Sequence, residues 1–218
     1  MEIARAAAAL FVQQGLRATR AEDIAQAAGI APRTFYRYFA VKEEAVAPLY
    51  AAGAQRWTEA VRTAPAHLSL AQALEHAVRH TLTPGTGISV ESWDWLRTLI
   101  RLARSSPALS KVWAEVCQAS EAALAEILAA RAPGNEADEA DLRFAAAVAG
   151  AAVRVAVESW AATTTPPTGP GSPAALALRN LRALRDFGWG GVEDEDEGEG
   201  GRGRGGGVGR GDEGRGSA

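Results

Sequence analysis

Between positions 33 and 38 the chain gathers two arginines, a threonine and two tyrosines: Arg33, Thr34, Tyr36, Arg37 and Tyr38. An arginine fork pairs bidentately with guanine, and hydroxyl groups suit phosphate oxygens. Spacing decides whether such groups act together. Arg33 and Arg37 are four apart and share one helical face, Thr34 and Tyr38 form a second pair, and Phe35 and Phe39 form a third that faces a core. One short helix with aromatic anchors inside and guanidinium and phenol groups outside is a device for gripping a duplex. Catalytic patterns are weaker. His76 and His80 have a metal-compatible spacing, but no glutamate completes an H-E-x-x-H motif and His67 lies before their helix. Ser159 lacks a nucleophile elbow, Cys117 has no paired base, and no phosphate loop or dinucleotide fingerprint is present. These features read as a non-enzyme with no metal and no cofactor.

The elements that position residues 33–38 are helical. Alanine is the most frequent residue and alternating β-branched runs are missing, so the expected class is all-α. Ile3, Ala7, Leu10, Phe11 and Gln14 follow helical spacing, with Gly15 placed to end the helix. Thr19-Arg20-Ala21-Glu22 has the form of a capping box opening a second helix, whose buried face is Ile24, Ala25 and Ala28. Gly29 makes the turn, and Pro32 opens a third helix reaching about Phe39. A fourth is expected from about Lys42 through Trp57 to Arg62. Two short helices across a glycine turn, with a supporting helix on either side, form a helix-turn-helix whose second member enters the major groove.

Residues 18–46, ATRAEDIAQAAGIAPRTFYRYFAVKEEAV, resemble the DNA-binding domain of the TetR family of bacterial transcription regulators. The likeness rests on Thr19, Asp23-Ile24-Ala25, Ala28-Gly29-Ile30, Thr34-Phe35-Tyr36, Tyr38-Phe39 and Lys42-Glu43. It implies an all-helical dimer with a small-molecule pocket in its C-terminal domain. By position it implies that Thr19 and Arg20 meet phosphate, that Arg33, Thr34 and Arg37 face the groove, and that Tyr36, Tyr38 and Lys42 hold the DNA backbone. The chain departs from the family pattern at Ala31, where a capping side chain is usual, and in starting inside the first helix without the usual basic segment. That second departure is expected either to reflect a start further upstream or to weaken DNA binding.

Beyond residue 62, proline and glycine breaks divide the chain into helices expected over 69–82, 89–104, 107–131, 136–162 and 173–187. The whole is about nine helices: a three-helix DNA-binding domain over 1–46, a helical effector-binding and dimerisation bundle over 47–188, and a tail over 189–218. Residues 193–218 hold eight acidic residues against four arginines among many glycines, with little to bury, so the tail is expected to be disordered. It is either a solvated appendage or a Gly/Arg segment with nucleic-acid affinity. Small residues of the 136–162 helix (Ala145, Ala149, Gly150, Ala152, Ala156) and Leu178, Leu181 and Leu184 suggest a homodimer through the last two helices, the alternative being that they complete the monomer core. Candidate pocket residues are His76, His80, Trp93, Leu96, Arg97, Ile100, Trp113, Cys117 and Trp160, each of which could instead be ordinary core or surface.

The full chain carries net charge −3, one cysteine and no apolar run long enough to span a bilayer, which implies a cytoplasmic protein without membrane partners. Two functions follow. The first is a ligand-responsive regulator that binds double-stranded DNA, a repressor released from a palindromic operator by a small organic effector. The second is a dimeric small-molecule-binding or protein-interaction module whose DNA binding is weakened.

Overall fold

A computed structural model of the protein describes residues 1–85, 90–131 and 138–184, without the side chains of residues 90 and 91. The described residues form nine α-helices and one 3-10 turn, with no strand among them. The expected loop at residues 133–135, the end of the last helix at 187 and the tail from 189 lie outside the described residues.

The N-terminal head holds α1 (Glu2–Gln13), α2 (Ala21–Ala27) and α3 (Pro32–Tyr38). Ala4, Ala7, Ala8 and Phe11 give α1 its buried stripe. Gly15 and Gly29 adopt φ of +86° and +68°, a left-handed geometry that costs a residue with a Cβ and lets each turn close. The α2 cap sits one residue later than the T-x-x-E pattern suggested. Arg20 is the N-cap, and its backbone N–H donates to Asp23 Oδ2 at 2.8 Å. Arginine has no acceptor, so only half of a capping box forms. The Thr19 hydroxyl is diverted: it donates to the Gly15 carbonyl at 2.9 Å and accepts from Gln14 Nε2 at 3.3 Å. Ala31 stands before α3 without a side-chain cap, and Pro32 occupies its first turn.

The expected fourth helix is split. Lys42–Val46 is a 3-10 turn and α4 runs Ala47–Arg62. Pro48 has no N–H to give to the Glu44 carbonyl, so the α ladder cannot pass through this point. Ala47 N–H takes that carbonyl in the tighter spacing instead.

The body is built from α4 to α9: α5 (Leu70–Leu82), α6 (Val90–Ser105), α7 (Pro107–Arg131), α8 (Glu139–Ala161) and α9 (Pro173–Ala183). One apolar cluster joins α4, α5, α7, α8 and α9 through Trp57, Val61, Val78, Leu124, Leu128, Ala149 and Ala177. A second joins the head to α4, α6 and α7 through Phe11, Ile24, Phe35, Val46, Tyr50, Leu99 and Leu109. The head's core therefore runs without a break across residue 46. Arg131 near the end of α7 donates to the carbonyls of Arg62, Ala64 and Pro65, closing the C-terminal end of α4.

The small residues of α8 mostly turn inward. Ala149, Ala152 and Ala156 are buried within one subunit, and Asn180 of α9 donates to the Ala152 carbonyl. Leu181 is buried and Leu178 and Leu184 pack against the same core. Most of the residues that suggested a dimer seam thus complete the monomer core. Phe144 and Val155, eleven residues apart on α8, are its large apolar side chains that face outward.

Candidate nucleic-acid interface and ligand cleft

Phe35 is fully buried and sets the rotation of α3. Phe39 packs partly against the same core, with its ring 5.2 Å from that of Phe35. With that face fixed inward, helical geometry sends Arg33, Tyr36 and Arg37 outward, and all three are exposed. Tyr36 is 52% and Tyr38 61% exposed, high values for side chains of their size. Arg37 donates to the Tyr38 hydroxyl at 3.1 Å and lies over its ring at 5.0 Å, so the two form one unit. Tyr36 donates to Glu22 Oε1 at 3.1 Å, which ties α3 to the first turn of α2. That carboxylate stabilises the protonated phenol and raises its pKa above the ordinary 10.0. Arg20 is exposed at the start of α2, and Thr34 is half-buried.

Two of the expected phosphate contacts are altered. Thr19 is only 1% exposed with its hydroxyl bonded to Gly15, so its side chain belongs to the fold and not to the DNA face. Lys42 is half-buried, and its ammonium donates to the carbonyls of Leu16 and Thr19, both at 2.7 Å. Two of its three donors hold the turn between α1 and α2.

The candidate pocket residues scatter. His76 and His80 stack on each other, 6.3 Å between centroids, on the exposed side of α5. Trp93, Ile100 and Trp160 are buried together in a third apolar cluster, with Leu96 against it and the two indoles edge-on at 5.5 Å. Arg97 lies 4.2 Å over the Trp160 ring and donates to the Thr165 carbonyl. Its neighbour Arg101 donates to Ala161 and Thr163. These arginines close the C-terminal end of α8, where cations are favoured. Seven of the nine candidates are thus core, cap or outer surface.

The remaining two, Trp113 and Cys117, do meet in a cleft. It has a volume of about 490 Å³ and lies between the end of α6, the first half of α7 and the last half of α8. The α7 and α8 helices run antiparallel: Trp113 meets Glu158, and Glu121 lies against Gly150 further along. A Cβ at Gly150 would come within 2.8 Å of Glu121 Cγ, so the glycine leaves room for that side chain. The Trp113 indole donates to Glu158 Oε1 at 2.7 Å, and Arg154 stands 3.5 Å from the same oxygen. Arg104, Ser110 and Gln118 complete the polar lining. Burial pushes the Cys117 thiol up to about 12, the opposite of what a nucleophile needs. Spacing alone did not mark Glu158, Arg154 or Arg104; pairing α7 with α8 in antiparallel register would have found the first two.

Behind the cleft, the Trp113 ring meets Tyr50 of α4 edge-on at 5.1 Å, and Tyr50 donates to the Leu99 carbonyl of α6 at 3.0 Å. Burial holds the Tyr50 phenol far above its ordinary range, so it remains a donor.

Residues 3–47 match the family model of bacterial regulatory proteins, tetR family, and residues 68–178 match that of the MftR C-terminal domain. The chain belongs to the TetR family. The regulator is 32% identical over 161 residues to the HTH-type transcriptional regulator TcmR of Streptomyces glaucescens, covering 73% of this chain and 71% of that protein. It is also 51% identical over 45 residues to the transcriptional repressor KstR2 of Mycobacterium tuberculosis, 21% of this chain and 22% of that one. Its fold resembles that of FadR from Thermus thermophilus, a TetR-family repressor solved with lauroyl-CoA, at TM-score 0.56 and 25% identity, covering 92% and 98% of the two chains. It also resembles AlkX from Dietzia sp., at TM-score 0.57 and 18% identity over 86% and 96%, a likeness of fold alone. The regulator is thus a helix-turn-helix transcriptional regulator, and no described helix is long and apolar enough to cross a membrane.

Proposed function

We propose that the regulator is a dimeric repressor that leaves a palindromic operator when a small organic effector enters its C-terminal body. The observation that carries the reading is the α3 face: Arg33, Tyr36, Arg37 and Tyr38 exposed together over the buried Phe35 anchor. Arg20 extends that face at the start of α2. Residues 1–46 are the DNA-reading head, and residues 47–184 are the effector-binding and dimerising body. The repressors KstR2 and ligand-bound FadR support this reading by similarity. Two half-sites one helical turn apart need two heads. The dimer face is assigned to the outer side of α8 and α9, where Phe144 and Val155 are exposed. The effector site is assigned to the cleft lined by Trp113 and Cys117.

Fluorescence anisotropy against the intergenic DNA upstream of the regulator's own gene tests the reading. Wild type is expected to bind a palindrome tightly and with strong salt dependence. Arg37→Ala is expected to weaken binding at least tenfold, and Tyr36→Ala to weaken it with the salt slope unchanged, because a neutral hydroxyl displaces no counterion. Glu22, seated on the Tyr36 hydroxyl, favours a second reading in which the head binds DNA poorly. Weak binding that both substitutions leave unchanged would select it.

A further inference from the structure

We propose that Tyr38 is a positioning residue: it holds the Arg37 guanidinium ready for a pair of hydrogen-bond acceptors on the duplex, in place of gripping the DNA backbone itself. The inference rests on the assignment of the α3 face to DNA and names how one of its arginines is aimed.

Successive residues of an α-helix point about 100° apart and do not ordinarily face each other. Arg37 and Tyr38 nevertheless meet twice. The guanidinium lies 5.0 Å over the phenol ring, and one of its N–H groups donates to the phenol oxygen at 3.1 Å. Two contacts restrain the plane of the fork as well as its place. The ring is itself backed. It stands 6.4 Å from the ring of Phe39, which stands 5.2 Å from that of the buried Phe35. A ladder of three rings therefore runs from the core of the head out to an exposed cation. Arg37 has no ion pair among the described residues, so its other N–H donors stay open. Arg33, one turn earlier on the same face, is exposed with no ring against it among the described residues. An arginine loose in solvent gives up rotamer freedom when it docks, and one already stacked gives up less. A restrained planar fork suits paired acceptors: guanine O6 and N7, or two oxygens of one phosphate.

A duplex selected by the full-length regulator from a random-sequence library serves as the probe, and anisotropy at low salt reads its affinity. Tyr38→Ala is expected to weaken binding about fivefold to tenfold, and Tyr38→Phe, which keeps the ring, about twofold. In an Arg37→Ala background both losses are expected to shrink to within about 1.5-fold, whereas in an Arg33→Ala background they persist. Losses of the same size with and without the Arg37 guanidinium overturn the proposal, because a phenol that grips phosphate or supports the fold acts whether or not Arg37 is present. No loss from Tyr38→Ala in the wild-type background overturns it too. Tyr38 is 61% exposed, so its substitution does not threaten folding. Placing 7-deazaguanine at each guanine of the duplex in turn names the acceptor. A loss that vanishes with Arg37→Ala identifies guanine N7. A salt slope lowered by about 0.9 in Arg37→Ala, with no sensitivity to 7-deazaguanine, identifies phosphate. If neither response occurs, the fork has no partner and the proposal falls. A regulator that selects no duplex refutes the DNA assignment of the face as well, and one that binds duplex with additive losses refutes this pairing alone.

Discussion

Lys42 separates a folding role from a DNA-contact role in a single substitution. Its ammonium donates to the carbonyls of Leu16 and Thr19 at 2.7 Å each and thereby ties the turn before α2 to the segment after α3. Lys42→Met keeps most of the stem and removes both bonds. A hydrogen bond to a charged donor contributes about 1.5–3 kcal/mol in a protected site. Lys42 is half-buried, so water competes, and the two together contribute about 2 kcal/mol. For a domain of this size that lowers Tm by about 4–8 °C. Thermal denaturation followed by circular dichroism at 222 nm reads the loss, and anisotropy titrations at several salt concentrations read the DNA contacts. The expected outcome is a lowered Tm with an unchanged salt slope. An unchanged Tm with a slope reduced by about 0.9 would mean that the ammonium sits on a phosphate, and the structural assignment would be wrong.

Glu22→Gln removes the charge that holds the Tyr36 hydroxyl and faces incoming phosphates, so DNA affinity is expected to rise about threefold to fivefold at low salt, read by anisotropy. An affinity that stays level or falls would show that Glu22 supports the bound geometry of α3. Tyr50→Phe loses the buried bond to the Leu99 carbonyl and is expected to cost about 1 kcal/mol, seen in urea denaturation as a lower midpoint with unchanged slope. Cys117, its thiol raised to about 12 by burial, is expected to react with a disulfide reagent at pH 8 far more slowly in the native protein than in urea. Equal rates would place the sulfur in solvent.

The head was legible because its residues speak locally. Phe35 and Phe39 fix α3 from within, so the outward set at 33, 36 and 37 follows from helical spacing alone. The cap of α2 was harder, since T-x-x-E and R-x-x-D overlap by one residue and Gly15 captured the threonine hydroxyl. Lys42 looked like a surface cation because its partners are backbone carbonyls 23 and 26 residues away, which side-chain chemistry does not announce. The tryptophans misled for a related reason. Large aromatics suit a cavity wall and a solid core equally well, and Trp93 and Trp160 fill each other's space. Arg97 read as a pocket residue until the segment after α8 came within its reach. In α8, alanines recur often enough to suggest several close-packing faces, and only the packing of α7 and α9 shows which are used inside the subunit.

The unequal fastening of α4 has a mechanical consequence. Its far end is hung on a guanidinium that grips three carbonyls, whereas near its start it shares the apolar core of the head and is bonded to α6 by one phenol and met by one ring edge of α7. So mounted, α4 is tied to the head at its start and to α7 at its end. Its 16 residues span about 24 Å, so a tilt of about 5° displaces its head end by about 2 Å. In the proposed dimer the head of each copy would ride on that end, so that the two displacements would add along the duplex.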